Sequence, residues 1–201
     1  MELKQFDGLP VRVTDTDGRV FEGVADMDLP GYGLHEFGRE EESLRLGIYQ
    51  LFESDIRSVE PLDESRLCPF YGAEYVPEEV RELYRDLSQV WCAETCASRM
   101  RKNWSLSNPT LGQCSITSFL VQDLFGAEVR GILLPSGNLH CFNVLGGDAF
   151  DLTSGQLEDP ETDYDRGVTQ SREEHFAREE KRERYELLKR RLEEYRAEKD
   201  R

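Results

Sequence analysis

Apolar and polar residues alternate through the first sixty positions. Val11-Arg-Val-Thr14 spaces its apolar side chains two apart, Asp15-Thr-Asp-Gly18 supplies a turn, and Val20-Phe-Glu-Gly-Val-Ala25 returns. Ser43-Leu-Arg-Leu46, Ile48-Tyr-Gln-Leu-Phe52 and Ile56-Arg-Ser-Val59 repeat the pattern, the last after a Glu53-Ser54-Asp55 turn. Short strands this closely spaced predict a small closed β-barrel over residues 1–62. Residues 35–42 lack the alternation and are expected to form a solvated connection rather than a ligand site. Residues 63–76 contain Pro69 and Gly72, show no period, and predict a linker.

Beyond Pro77 the period changes. Val80, Leu83, Tyr84, Leu87 and Trp91 recur at helical spacing, with Pro77 at the first position and Glu78 and Glu79 in the first turn. Asn108-Pro109 breaks any continuation. A second helix is predicted from about residue 112 to 125, burying Ile116, Phe119, Leu120 and Leu124, with Gly126 as its C-terminal cap. Residues 128–134, 139–144 and 149–153 read as three antiparallel strands, turned by Pro135-Ser-Gly-Asn138 and Gly146-Gly147-Asp148. From about residue 171 a charged helix follows, with Tyr185, Leu188, Leu192 and Tyr195 as one narrow stripe. Glu174–Arg178, Glu180–Arg184 and Glu186–Arg190 stand as i,i+4 pairs on it. The fold class is therefore α+β, with residues 77–201 forming one domain that includes the charged helix 170–200.

Charge narrows the partners. The net charge is −16, and residues 1–63 hold 6 basic against 15 acidic side chains. Nucleic acid and anionic membrane surfaces both need a basic footprint, so neither is expected as a partner. The barrel reads instead as a contact module for a protein, and the C-terminal helix as a second docking element. The opening Met1-Glu-Leu-Lys-Gln-Phe has no apolar core of a leader, and no long apolar run occurs, so a cytoplasmic location is expected. Thiols stay reduced there, and the five cysteines are not read as a disulfide framework.

One of those cysteines stands out. Cys114 ends the polar loop Asn108-Pro-Thr-Leu-Gly-Gln and opens a helix, where unpaired N–H groups and the helix dipole favour a thiolate. His140 and Asp151 follow on successive strands. A thiol nucleophile needs a base to ionise it and a third group to orient that base. If Gly146-Gly147 is a two-residue turn, His140 and Asp151 are diagonal neighbours on one face; a three-residue loop would point Asp151 away. Type I′ geometry favours the first arrangement. Asn143 is a weaker orienter, and Gln113 or Asn108 is a candidate second oxyanion donor beside the Cys114 N–H. Two other readings stay open: packed structural roles for the same residues, and a zinc site of Cys92, Cys96, Cys114 and His140. Cys96, Arg99, Arg101 and Trp104 form a cluster with a possible substrate or redox role. His175 reads as a surface or capping residue.

Two resemblances add to this. The Val-Arg-Val, Asp-Gly-Arg and Phe-x-Gly spacing of the N-terminal strands resembles LSm-like or SH3-like barrels, though no Arg-Gly pair marks an RNA site. Glu94-Thr-Cys96, Asn108-Pro-Thr-Leu-Gly-Gln-Cys114-Ser-Ile-Thr, Val121-Gln-Asp-Leu-Phe-Gly126, His140-Cys-Phe-Asn143, Phe150-Asp-Leu-Thr153 and Arg184-Tyr-Glu-Leu-Leu188 together resemble the YunG-like family of small bacterial proteins over about residues 80–195. The Cys–His–Asp order is similar in turn to the papain-like superfamily, with its NlpC-type peptidases and transglutaminases. That second resemblance implies a cysteine hydrolase or acyltransferase acting on an amide or thioester, with Cys114, His140 and Asp151 as catalytic residues and neither metal nor organic cofactor. The rival expectation is a non-catalytic module that binds a small ligand or a partner.

Overall fold

Alternating residues of the N-terminal segment bury one face each, and this sets its strands. In the computed structural model, which describes residues 2–63, 67–157 and 162–201, β1 (Pro10–Asp15), β2 (Val20–Val24) and β6 (Ile56–Pro61) pair antiparallel in the order β2-β1-β6. A second antiparallel sheet runs β3 (Asp26–Asp28), β4 (Ser43–Leu46), β5 (Tyr49–Phe52). Ala25 is the point where the chain leaves one sheet for the other. Val11, Val13, Phe21, Leu44, Leu46 and Leu51 fill a common core, closed at one end by Leu3 and Phe6.

The expected closed barrel does not form. The strands make two three-stranded sheets, and among the described residues no pairing joins them into a ring. A helix, α1 (Pro30–Phe37), occupies part of the stretch expected to be a loop. Pro30 starts it, and Gly38, with φ of 70°, ends it by donating to the Gly33 and Leu34 carbonyls. His35 is exposed on this helix.

The chain divides into two units, Met1–Pro69 with Ala73–Tyr75, and Phe70–Gly72 with Val76–Arg201. The second is built from α2 (Glu78–Val90), α3 (Cys114–Phe125), a four-stranded antiparallel sheet and two C-terminal helices. The sheet order is β10-β7-β8-β9, with β7 (Glu128–Leu133), β8 (Leu139–Leu145), β9 (Asp148–Phe150) and β10 (Val168–Thr169). The charged C-terminal segment is not one helix. Ser171 caps α4 (Arg172–Phe176) by accepting from the Glu174 N–H, and α5 (Glu179–Lys199) starts afresh. The break removes the expected Glu174–Arg178 pairing, whereas Glu180–Arg184 is formed at 3.4 Å. The protein is thus a mixed α+β chain with several antiparallel sheets and a long C-terminal helix. No described helix is long and apolar enough to cross a membrane.

α3 packs on β7 and β8 on one side and on α5 on the other, and α5 also packs on α2. Val80, Leu83, Leu87, Ile116, Phe119, Leu120, Tyr185, Leu188 and Leu192 are buried there. Polar bonds pin the layers. Arg191 Nε donates to the Val90 carbonyl at the end of α2, and Arg196 and Lys199 pair with the buried Asp86. Charged groups that bond the last carbonyls of a neighbouring helix fix its end as well as its packing. The opposite face of the sheet is covered by Tyr164, which packs on Ile132 and Phe142.

Candidate functional site around Cys114

The site starts with a turn. β8 and β9 pair Leu145 with Asp148, Val144 with Ala149 and Asn143 with Phe150, so the connection is the two-residue Gly146-Gly147 turn. Both glycines have positive φ, 64° and 106°, which type I′ geometry requires. This register carries Asp151, just past β9, to the His140 face of the sheet. His140 Nε2 donates to Asp151 Oδ2 at 2.6 Å, with both side chains buried.

Asp151 is held by four donors. Besides His140, Tyr164 donates its hydroxyl to Oδ2 at 2.9 Å, and Thr153 donates its N–H and its hydroxyl to Oδ1, each at 2.8 Å. Its own N–H donates to the Tyr71 carbonyl, and the Tyr71 ring stacks on Tyr164 at 4.1 Å. A carboxylate so saturated has one orientation, and it imposes one on the imidazole. Burial and the Asp151 charge both push the Tyr164 hydroxyl far above its ordinary range, so it remains a donor.

Cys114 opens α3, and the loop before it is shaped by close contacts. Gly112 has φ of 67°, and a Cβ there would lie 2.8 Å from Cys96 Sγ. Arg184, buried on α5, donates to the Thr95 and Gly112 carbonyls at 2.8 and 2.7 Å. The Gly112 N–H is held by Gln156 Oε1 at 3.0 Å. Cys114 is therefore placed by α5 and by the segment after β9, both distant in sequence.

The half-buried thiol of Cys114 interacts with His140 and with Cys141. Hydrogen bonds from the Cys141 thiol hold the Cys114 pKa well below the thiol range; the His140 imidazolium and the Cys141 N–H add to this and outweigh burial. Burial opposes a charge on His140, yet the Asp151 carboxylate and Cys114 push its pKa up to about 10. Cys141 moves the other way: its hydrogen bond to Cys114, its own burial and the charge on Cys114 raise its pKa. These directions favour a Cys114 thiolate beside a His140 imidazolium, with Cys141 as the neutral thiol. With Nε2 given to Asp151, Nδ1 is the ring nitrogen left for Cys114.

These residues lie at the wall of a cavity of about 910 Å³, lined among others by Cys114, His140, Cys141, Gln156, His175 and Lys181. The remaining sequence candidates sort differently. Gln113 is fully buried, with Nε2 on the Cys92 carbonyl, and cannot reach an oxyanion above Cys114. Asn108 sits in a turn with Ser105 and accepts from Thr110. Asn143 faces α3, donating to the Ser118 carbonyl at 2.9 Å, and does not meet His140. Cys96 is buried against the Gly112 turn, its pKa raised by burial. Arg99 lines the cavity, whereas Arg101 is spent on the Glu94 carbonyl and Trp104 on the Pro109 carbonyl. The zinc arrangement fails on geometry: among the described residues no three His, Cys, Asp or Glu side chains are grouped to hold a metal.

Sequence reasoning missed Cys141, Tyr164, His175 and Lys181. Cys141 follows His140 directly, but strand alternation points it away, so only the position of α3 reveals its contact. His175 is not a surface residue: it is buried against Phe119 and Phe176. Ser171-Arg-Glu-Glu174 is a capping-box pattern that marks the start of α4, but it does not mark the break after it that buries His175. Nothing in the sequence marks Tyr164.

A family profile described as YunG protein matches residues 79–197. The chain is 30% identical over 90 residues to the uncharacterized protein YunG of Bacillus subtilis strain 168, covering 45% of this chain and 71% of that protein. No solved structure matches. The matched segment contains α2, α3, the four-stranded sheet and the Cys114 site, and by it the chain belongs to the YunG family.

Proposed function

We propose that this protein is a thiol-dependent hydrolase or acyltransferase acting on an amide or thioester through Cys114, His140 and Asp151. The observation that carries this reading is the hydrogen bond from His140 to Asp151 with the Cys114 thiol beside the imidazole, Cys114 and His140 lying at the wall of a cavity. The Cys114 thiolate attacks the substrate carbonyl carbon, forming a C–S bond while the carbonyl π electrons move to oxygen. The Cys114 N–H, a first-turn donor with no intrahelical partner, faces that oxyanion. Collapse breaks the bond to the leaving group, which takes the proton from His140. The resulting thioester on Cys114 is released to water or an amine, with neutral His140 accepting the nucleophile's proton. Asp151 keeps the imidazole oriented throughout.

The order of thiol at a helix start, imidazole on a strand and carboxylate just past the next strand, against an antiparallel sheet, supports placing this unit among papain-like folds. For the N-terminal unit we propose a protein-contact role related to LSm or SH3 modules; its acidity argues against RNA. A panel of p-nitrophenyl thioesters read by intact-mass spectrometry tests the enzyme reading. The expected result is an acyl adduct on Cys114, absent in Cys114→Ser and accumulating in His140→Ala only at much reduced rate. A folded wild type that gives no adduct with any member, while still binding ligands, would make the protein a binding module.

A further inference from the structure

The wall of the cavity contributed by α4 and α5 is cationic and incompletely partnered. Lys181 is half-buried and donates from Nζ to His175 Nδ1 at 3.0 Å. Among the described residues it meets no carboxylate. Because Nδ1 accepts that bond, the His175 proton lies on Nε2. His175 is only 8% exposed, and its Nε2 has no hydrogen-bond partner among the described residues. A buried donor without an acceptor and a half-buried ammonium that meets no carboxylate are each costly alone. Both side chains line one cavity wall, with the Nε2–H at the far edge of the imidazole from Lys181.

The neighbouring charges do not neutralise them. Arg178 and Arg99 line the same cavity and form no ion pair among the described residues. Arg184 is held by main-chain carbonyls. Of the two acids on this wall, Glu180 is engaged by Ser98 and Arg184, and Glu174 is exposed. His175 cannot add a positive charge, since burial and the nearby Lys181, Arg184 and Arg172 push its pKa down to about 3. Lys181 is close enough to Cys141 and Cys114 to feel charge on either.

We propose that Lys181, with Arg178 and Arg99 on the same cavity wall, forms a subsite for an anionic oxygen group, carboxylate or phosphate, carried by the substrate near the bond that Cys114 attacks. This rests on the reading of Cys114 as the nucleophile. An anion there pairs with the Lys181 ammonium, which His175 Nδ1 holds in place. Lys181 is then a specificity residue and His175 its positioning residue, while Arg178 and Arg99 add positive charge to the same wall.

Alkylation of Cys114 by iodoacetate and by iodoacetamide, each resolved by peptide mass spectrometry, provides the test. The two reagents are alike in size and differ by one negative charge, so the ratio of their rates divides out any change in thiolate fraction. Replacing Lys181 by Gln is expected to lower that ratio roughly three- to tenfold, the effect of one unit charge near a protein surface, while Lys181→Arg retains it. An equal ratio in wild type and Lys181→Gln overturns the subsite. The iodoacetamide rate alone, with its dependence on His140, decides the nucleophile reading separately. Protection of Cys114 by succinate or by inorganic phosphate at constant ionic strength then identifies which anion the site prefers; protection lost in Lys181→Gln supports the subsite, and protection equal in both proteins overturns it.

Discussion

Asp151 accepts four hydrogen bonds and gives its position to no other partner, which makes it the most sensitive residue of the site. Asp151→Asn removes the charge that holds His140 protonated and offers a donor where the imidazole donates. The Cys114 pKa then rises, and its alkylation rate at pH 7 is expected to fall about tenfold or more. Cys141→Ala tests the less obvious half of the site. Loss of its thiol donor removes a hydrogen bond to a charged group, about 1.5–3 kcal/mol, so the Cys114 pKa is expected to rise by roughly one to two units. A pH profile of alkylation reads both changes. His175 makes an independent pH prediction. Its folded pKa of about 3 lies below the unfolded value of about 6.5, so the unfolded chain binds the proton first as pH falls. Stability should therefore decline from pH 6.5 downward, and His175→Phe should flatten that decline between pH 6.5 and 5 in urea unfolding. Within that window His140 contributes no slope: its folded pKa is raised, so its stabilisation is complete below about 6.5 and lost as pH rises toward 10.

Among the elements, α5 governs the site from a distance. Leu188 is fully buried on α5, the helix that packs on α2 and α3, and Leu188→Ala is expected to cost about 2–5 kcal/mol, read by urea unfolding. Arg184 fastens α5 to the loop that presents Cys114. The helical stripe of Tyr185, Leu188 and Leu192 was legible because a 3.6 period survives in a charged sequence. The β8–β9 register was legible because Gly146-Gly147 suits one turn type. By contrast α1 was not: Pro30-Gly31-Tyr32-Gly33 has poor helix propensity, and the helix exists through its Pro start and Gly38 cap. Gly33 is required there, because a Cβ would lie 2.7 Å from the Arg39 carbonyl oxygen. The break between α4 and α5 hid behind a continuous charge pattern, and with it the cavity wall.

At the scale of the molecule, alternation foretold strands but not their closure. Whether edge strands join is a matter of distant pairing, and the passage at Ala25 with the inserted α1 leaves two sheets over one core. Charge is simpler. With 15 acidic and 6 basic side chains in residues 1–63, an RNA oligonucleotide should show no mobility shift at about 50 mM salt. The candidate residues Cys114, His140 and Asp151 were legible in sequence, since each falls at an element boundary or on a strand; their supports were not, because Cys141, Tyr164, Arg184 and Lys181 reach them only through tertiary packing. The central claim is that Cys114 is a thiolate maintained by His140. Its most direct measurement is the rate of iodoacetamide alkylation of each of the five cysteines against pH, in wild type and His140→Ala. The account predicts that Cys114 reacts fastest, reaches its plateau well below the ordinary thiol pKa of about 8.5, and loses both properties in the variant. A slow Cys114 whose pH profile is the same with and without His140 would contradict it.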